Sequence, residues 1–308
     1  MKRSAMLLGA AVLACALSTG AIAETITIGH TINPAPAPVF IADQQGLFAD
    51  AGLDVQLEVM TADPLFPAAL MSDSITVAAM TPTTFLAAVA NGLDLVAFSG
   101  TSTTLQTSRD IAIVSSTASG VTDAEGLAGH NVGVPGIGAL LDVILKAWLN
   151  NHGVAPADVT FIEMPFPQMA DQLRAGRVDA VITVNQFAGP MIGEGFGHMV
   201  ALPLAELPEG LRTVLLVGTR DWVEANPEAV GTLRETMSQA QSVAEASPEA
   251  VREALATAMR LPPPVAERIE LPNVDVALSV EDLTFWHDAL REQGVLPGDI
   301  DLGLLVAQ

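Results

Sequence analysis

The sequence predicts an α/β protein of two lobes, each a mainly parallel sheet flanked by helices, with hinge crossovers between them. Two series of short apolar runs, rich in β-branched residues and alternating with helical stretches, occupy roughly 25–100 and 110–200. The runs are apolar throughout rather than alternating, as parallel strands covered on both faces require. Between the series, Thr-Ser-Thr-Thr-Leu-Gln-Thr-Ser at 101–108 breaks the rhythm and reads as a polar connector.

In the first series, strands are expected at 26–29, 54–60, 75–80 and 94–99. The first strand ends at Gly29. A loop spaced by Pro34, Pro36 and Pro38 follows, and a helix through Ile41 stops at Gly46-Leu47-Phe48 before Gly52-Leu-Asp-Val55 starts the next strand. The helix after Met80 opens with Thr81-Pro82, a capping residue and a proline at the first helical position, and stops at Asn91-Gly92. The second series predicts strands at 110–115, 131–134, 158–163, 178–184 and near 199, with helices at 122–128, 138–152, 167–176 and 187–194.

After Pro208 a strand-like segment, 212–218, leads into helical sequence. Pro227 and Pro248 sit near helix starts, Pro262-Pro263-Pro264 forces a break, and a last helix over 280–293 stops at Gly294. This tail has no full βαβ series and is expected to pack back on the first lobe. The boundaries that follow are 24–105 for the first part of lobe 1, 106–207 for lobe 2 and 208–308 for the return, with two crossings of a hinge around a cleft.

Residues 1–23 carry Lys2 and Arg3, an apolar run from Ala5 to Leu17 and the small-residue site Ala21-Ile22-Ala23, the pattern of a secretory signal peptide. The expected location is therefore periplasmic, with lipid anchoring at Cys15 a lesser alternative. Removal of the leader takes away the one cysteine, so neither a disulfide nor a thiol nucleophile is expected. No later apolar run approaches a membrane span. The formal charge of −22 becomes −24 without Lys2 and Arg3, a field that repels nucleic acid and anionic lipid. Lys146 is then the only lysine, and tyrosine is absent.

Several segments, in order, carry a resemblance: the strand ending at Gly29, Gly46-Leu-Phe48, Gly52-Leu-Asp-Val55, Leu127-Ala-Gly129, Val132-Gly-Val-Pro-Gly136 and Gly176-Arg-Val-Asp-Ala180. Over about 25–225 the chain resembles the periplasmic solute-binding proteins of ABC importers, in the group of sulfonate, taurine, nitrate and thiamine-pyrimidine binders. The resemblance implies a type II periplasmic binding protein fold that closes on a small-molecule solute and docks, as a monomer, on a membrane permease. The sequence departs from the family at two points. His30 stands where an aromatic residue usually follows Gly29, and Val184-Asn185-Gln186-Phe187 stands where the family often has Trp-Glu-Pro-Phe.

Loops at the carboxyl ends of parallel strands converge on one edge of a sheet, where such folds bind ligands. On lobe 1 the candidates for solute contact are His30, Asn33, Asp63, Thr81 and Thr83. On lobe 2 they are Gly136, Ile137 and Gly138, at a strand-to-helix turn suited to an anion, with Phe166, Asn185 and Phe187. Each has a purely structural reading as well: Thr81, Asp63 and Asn185 as helix caps, the glycines as a tight turn, the phenylalanines as core. Arg109 near the crossover could neutralise an anionic solute by a forked contact, but a hinge salt bridge with Asp110 or a distant acid is the expected reading.

No catalytic pattern emerges. The five histidines are scattered without an i, i+4 pair, no Gly-x-Ser-x-Gly elbow occurs, and Gly136-x-Gly138 lacks the third glycine of a dinucleotide loop. No metal or cofactor is expected. A pyrimidine-synthase-like enzyme using a pyridoxal cofactor would need a Schiff-base lysine, and only Lys146 is offered. The favoured solutes are an alkanesulfonate or taurine, with a neutral heterocycle such as a thiamine-precursor pyrimidine or a flavin as the alternative.

Overall fold

The computed structural model describes residues 25–296, 298 and 300–307, so the expected leader and Cys15 lie outside the described residues. The chain first forms β1 (Ile26–His30), α1 (Ala37–Gln44), α2 (Leu47–Asp50), β2 (Val55–Val59), α3 (Phe66–Met71), β3 (Val77–Met80), α4 (Pro82–Ala90) and β4 (Leu95–Thr103). It continues with β5 (Ile111–Ser116), β6 (Asn131–Val134), α5 (Leu140–Asn151), β7 (Thr160–Glu163), α6 (Phe166–Arg174), β8 (Ala180–Val184), α7 (Asn185–Gly193) and β9 (Gly197–Ala201). The return comprises β10 (Arg212–Thr219), α8 (Arg220–Ala225), α9 (Pro227–Ala246), α10 (Pro248–Ala258), α11 (Pro263–Ala266), β11 (Asn273–Val274) and α12 (Glu281–Glu292).

These strands make two mixed sheets, ordered β11-β4-β10-β3-β1-β2 and β7-β6-β8-β5-β9. Pairs among β1, β2 and β3, and among β6, β7 and β8, are parallel. The two strands that follow crossovers are reversed: β5 is antiparallel to β8 and β9, and β10 to β3 and β4. The reversal has a geometric cause. The chain leaves β4 at its carboxyl end and enters the second sheet at that sheet's carboxyl edge, where Ile111 lies opposite Val184. On return, Arg212 lies opposite Thr103. The carboxyl edges of both sheets therefore adjoin the two crossovers, 104–110 and 202–211.

The expected connector is shorter than its polarity suggests, because β4 continues as buried strand through Thr103. Its hydroxyls find partners inside the sheet, as buried polar groups must. Thr101 Oγ1 donates to the Val214 carbonyl at 3.1 Å, Ser102 Oγ lies 2.7 Å from Thr213 Oγ1, and Asn273 Nδ2 donates to Thr103 Oγ1 at 2.7 Å. The expected helix at 122–128 contracts to a 3₁₀ turn, Glu125–Leu127. Helix α1 begins earlier than expected, at Ala37 with Pro38 in its first turn, a position where the missing N–H costs nothing.

On one face of the first sheet Ile28, Val77 and Phe98 meet Phe40 and Ile41 of α1, Leu233 and Met237 of α9, and Leu255 of α10. Phe66, Leu70, Phe85, Leu86 and Trp286 belong to a second cluster, which continues into lobe 2 through Val132, Ile144 and Trp148. Met164, Met169, Leu173 and Met191 cover the far face of the second sheet. Each such large side chain contributes about 1.5–3 kcal/mol. Gly29 is required by this packing: a Cβ there would sit 2.8 Å from Ile75 Cδ1 and 3.2 Å from the Phe66 ring. Helix α12 packs on α4 of the first lobe and on α5 of the second.

Candidate functional site

The carboxyl edge of the first sheet begins at His30, the buried last residue of β1. Its ring stands edge-on to Phe40 with centroids 4.8 Å apart, and Nδ1–H donates to the Thr31 carbonyl at 3.2 Å. Burial is the largest influence on this imidazole and pulls its pKa below 6.5, against the Thr31 carbonyl and the charges of Glu58 and Asp43. A neutral ring with a proton on Nδ1 offers Nε2 as an acceptor, not as a cation.

Asn33 is committed to its own loop. Its Nδ2 donates to Thr31 Oγ1 at 2.6 Å and its Oδ1 accepts the Ala35 N–H at 2.9 Å, a side-chain-closed turn that leads the chain into α1. Ile32, between them, is 52% exposed.

Asp63 and Thr81 form one unit. The Asp63 carboxylate accepts the Thr81 N–H at 3.1 Å, the Thr81 hydroxyl at 2.7 Å and the Thr84 hydroxyl. Burial raises its pKa, against the hydrogen bonds from the Thr84 and Thr81 hydroxyls and the Thr81 N–H. Thr81 in turn caps α4, accepting the Thr84 N–H at 3.3 Å. Thr83 is fully buried, its Oγ1 3.1 Å from Thr81 Oγ1, and is directed into this network. The capping reading of Thr81 is realised.

On the second sheet the turn 136–138 joins β6 to α5. Gly138 has φ +78°, a conformation that only glycine adopts readily. Two N–H groups of this turn are taken by carboxylates. Ile137 N–H donates to Glu163 Oε2 at 3.1 Å, and Gly138 N–H to Asp142 Oδ2 at 2.7 Å. Lys146 Nζ reaches the same Asp142 oxygen at 2.6 Å. The Ile137 side chain is 60% exposed.

Phe166 and Phe187 open α6 and α7 and stack on each other, with centroids 5.6 Å apart and planes 8° apart. Both rings are half-buried, packed over the methionine-lined cluster. Asn185 does not cap α7, whose N-cap is Val184; its backbone N–H donates to the Asp110 carbonyl at 2.7 Å. Asn185 and Gln186 are exposed, and their side chains make no hydrogen bond among the described residues.

The expected pairing of Arg109 with Asp110 is replaced by a different contact. The backbone N–H of Arg109 donates to both Glu270 oxygens, at 3.0 and 3.2 Å, while its exposed side chain forms no ion pair among the described residues. Burial, reinforced by the charge of Glu270, pushes the Asp110 carboxyl up to about 7. Sequence reasoning passed over Asp142, Glu163 and Glu270, because their partners lie on other elements or depend on a helix turn that spacing does not reveal.

Two surface hollows, of about 650 and 420 Å³, lie elsewhere. The first lies beside α9 and is lined by Ser99, Gln241 and Asp275; the second lies near Asp94, Asp221 and Trp222. Neither contains a candidate residue. Among the described residues no cluster of three or more His, Cys, Asp or Glu is placed to hold a metal, and no helix is long and apolar enough to cross a membrane.

No curated protein matches the chain. Among solved structures, the alkanesulfonate-binding protein SsuA of Xanthomonas axonopodis pv. citri, bound to MOPS, is similar at 21% identity and a TM-score of 0.76, over 93% of this chain and 99% of that one. The periplasmic aliphatic sulphonate-binding protein SsuA of Escherichia coli is similar at 19% identity and 0.76, over 92% and 97%. The periplasmic nitrate-binding protein NrtA of Synechocystis PCC 6803 gives 15% identity and 0.71, over 91% and 84%. The fold is thus the two-lobed α/β fold of periplasmic binding proteins. The model of the family described as NMT1/THI5 like matches residues 33–251, more than half of the sequence, and the chain belongs to that family.

Proposed function

We propose that this protein is the solute-capturing component of an ABC importer, working in the periplasm after removal of residues 1–23. Lobe 1 comprises 24–105 with the return 208–308, and lobe 2 comprises 106–207. The observation that carries this reading is the juxtaposition of both carboxyl edges at the two crossovers, with the His30 acceptor on one side and the Asn185 amide and the Phe166–Phe187 rings on the other. Closure about 104–110 and 202–211 encloses a small organic solute, and the closed form is the one a membrane permease receives. Binding and closure are its whole action, with no catalysis.

An alkanesulfonate or taurine is the first solute reading, supported by the likeness to two sulfonate-binding proteins. A neutral heterocycle is the second, supported by the Phe166–Phe187 stack and the unengaged amides of Asn185 and Gln186. A thermal-shift screen of ligand-stripped protein against sulfonates, taurine, nitrate, pyrimidines and flavins tests the role. Solute at about a hundred times its dissociation constant adds roughly 2.7 kcal/mol. No shift with any of them, together with product formation during incubation, overturns the binding role.

A further inference from the structure

At three of the helix N-termini at the two carboxyl edges, backbone donors in the first turn or just ahead of it are engaged within the protein. In α1, Ala37 N–H bonds the Pro34 carbonyl at 3.0 Å, Val39 N–H the Pro36 carbonyl at 2.9 Å, and Pro38 has no N–H to give. At the head of α4, Thr81 N–H is held by Asp63, and the next residue is Pro82. Ahead of α5, Ile137 and Gly138 donate to Glu163 and Asp142. In two of the three, one on each lobe, the partner is a carboxylate, and a carboxylate is what an incoming anion would have to displace or approach. His30 is kept neutral by burial, and the cations at the edges already face carboxylates: Arg109 has Glu270 and Asp110 beside it, Arg212 pairs with Asp275 and Asp282, and Lys146 pairs with Asp142.

We propose that Glu163, Asp142 and Asp63 are specificity-determining residues: their carboxyl groups occupy backbone donors at or beside the heads of α4 and α5 that would otherwise face an anion, so the solute captured is an uncharged organic molecule. Its flat or apolar body lies against the Phe166–Phe187 pair and the exposed Ile32 and Ile137, and its polar atoms meet the neutral amides of Asn185 and Gln186. This inference rests on the proposed reading of the cleft as a solute site and narrows it to the second of the two solute classes.

Calorimetric titration of the wild type, Glu163→Gln and Glu163→Ala with methanesulfonate and nitrate, and of the wild type with uracil and riboflavin, tests it. Glu163 is exposed, and circular dichroism checks that both variants fold. The expected result is negligible anion binding by the wild type and a gain of at least about tenfold in both variants, largest for alanine, which also frees the Ile137 N–H. Wild-type binding of either anion as tight as that of the variants overturns the inference, as does the absence of any gain. The importer reading fails separately, if no solute of either series binds the wild type or alters its small-angle scattering.

Discussion

The indole N–H of Trp286 donates to the backbone carbonyl of Arg212 across 2.8 Å, with both residues buried. Arg212 is where the chain re-enters the first sheet, so this bond ties α12 to the second crossover. The same helix lies against α4 and α5, and Gln293, just past its end, donates to the Val143 carbonyl of α5 at 3.2 Å. Phenylalanine at 286 keeps an aromatic ring but leaves the Arg212 carbonyl without its donor. Trp286→Phe is therefore expected to cost about 1–3 kcal/mol. Denaturant unfolding reads this as a lower midpoint at unchanged slope, and an unchanged midpoint rejects it.

Arg212 itself is the buried cation of the crossover. Its Nη1 lies 3.0 Å from Asp275 Oδ2 and 2.7 Å from the Asp275 carbonyl, and Nε lies 3.2 Å from Asp282 Oδ1. Arg212→Met takes the cation from Asp282, whose side chain is 19% exposed and keeps only the Ser279 N–H and hydroxyl, and is expected to cost about 3 kcal/mol. Asp275→Asn removes the charge of the more exposed partner, 38% exposed, and keeps the carbonyl contact, so a loss under about 1 kcal/mol is expected. Equal losses in the two variants, compared by chemical unfolding, would show that burial does not set the difference.

Asp110 gives the fold a pH dependence of known sign. Its carboxyl, pushed from 3.8 to about 7 by burial and then by Glu270, resists ionisation in the folded state. Below 3.8 neither state is ionised and folding carries no penalty from this group. As pH rises toward about 7 the unfolded chain ionises first, and stability is progressively lost. Asp110→Asn removes that loss. Its melting temperature is expected to exceed that of the wild type near pH 8, by at least about 1 kcal/mol of stability after solvent screening, and the gap narrows toward pH 4. A constant gap across this range would assign the effect to something other than ionisation.

Much of this fold is readable from apolar runs and stop signals. Strands β1, β2, β3 and β10 and Thr81-Pro82 at the head of α4 stand where the sequence places them, because a covered strand and an N-cap leave local marks. Residues 101–103 are misread for a physical reason: serine and threonine look like loop, yet hydroxyls matched to Thr213 and Asn273 fit inside a sheet. The site is less legible than the fold. The anion-suited look of 136–138 is a property of backbone alone, and the Glu163 carboxylate that engages Ile137 comes from a strand 26 residues away.

Asn33 and Asn185 look equivalent in sequence, an amide after a strand on each lobe, but the structure separates their roles. Asn33 is spent on its own turn, so Asn33→Ala leaves the Ala35 N–H without its partner and is expected to cost about 0.5–1.5 kcal/mol of stability. Asn185 is exposed with its amide unengaged, so Asn185→Ala is expected to leave stability within about 0.5 kcal/mol of the wild type. If its amide meets the solute, the same change weakens solute affinity by about 3- to 10-fold, the worth of one neutral hydrogen bond. Phe187→Ala tests the neighbouring contact, losing affinity together with stability because its ring also packs over the second sheet. Calorimetry with the solute found in the screen, alongside unfolding of the apo proteins, separates the cases. An Asn185 variant that melts early but binds normally would move that residue out of the cleft and into the fold.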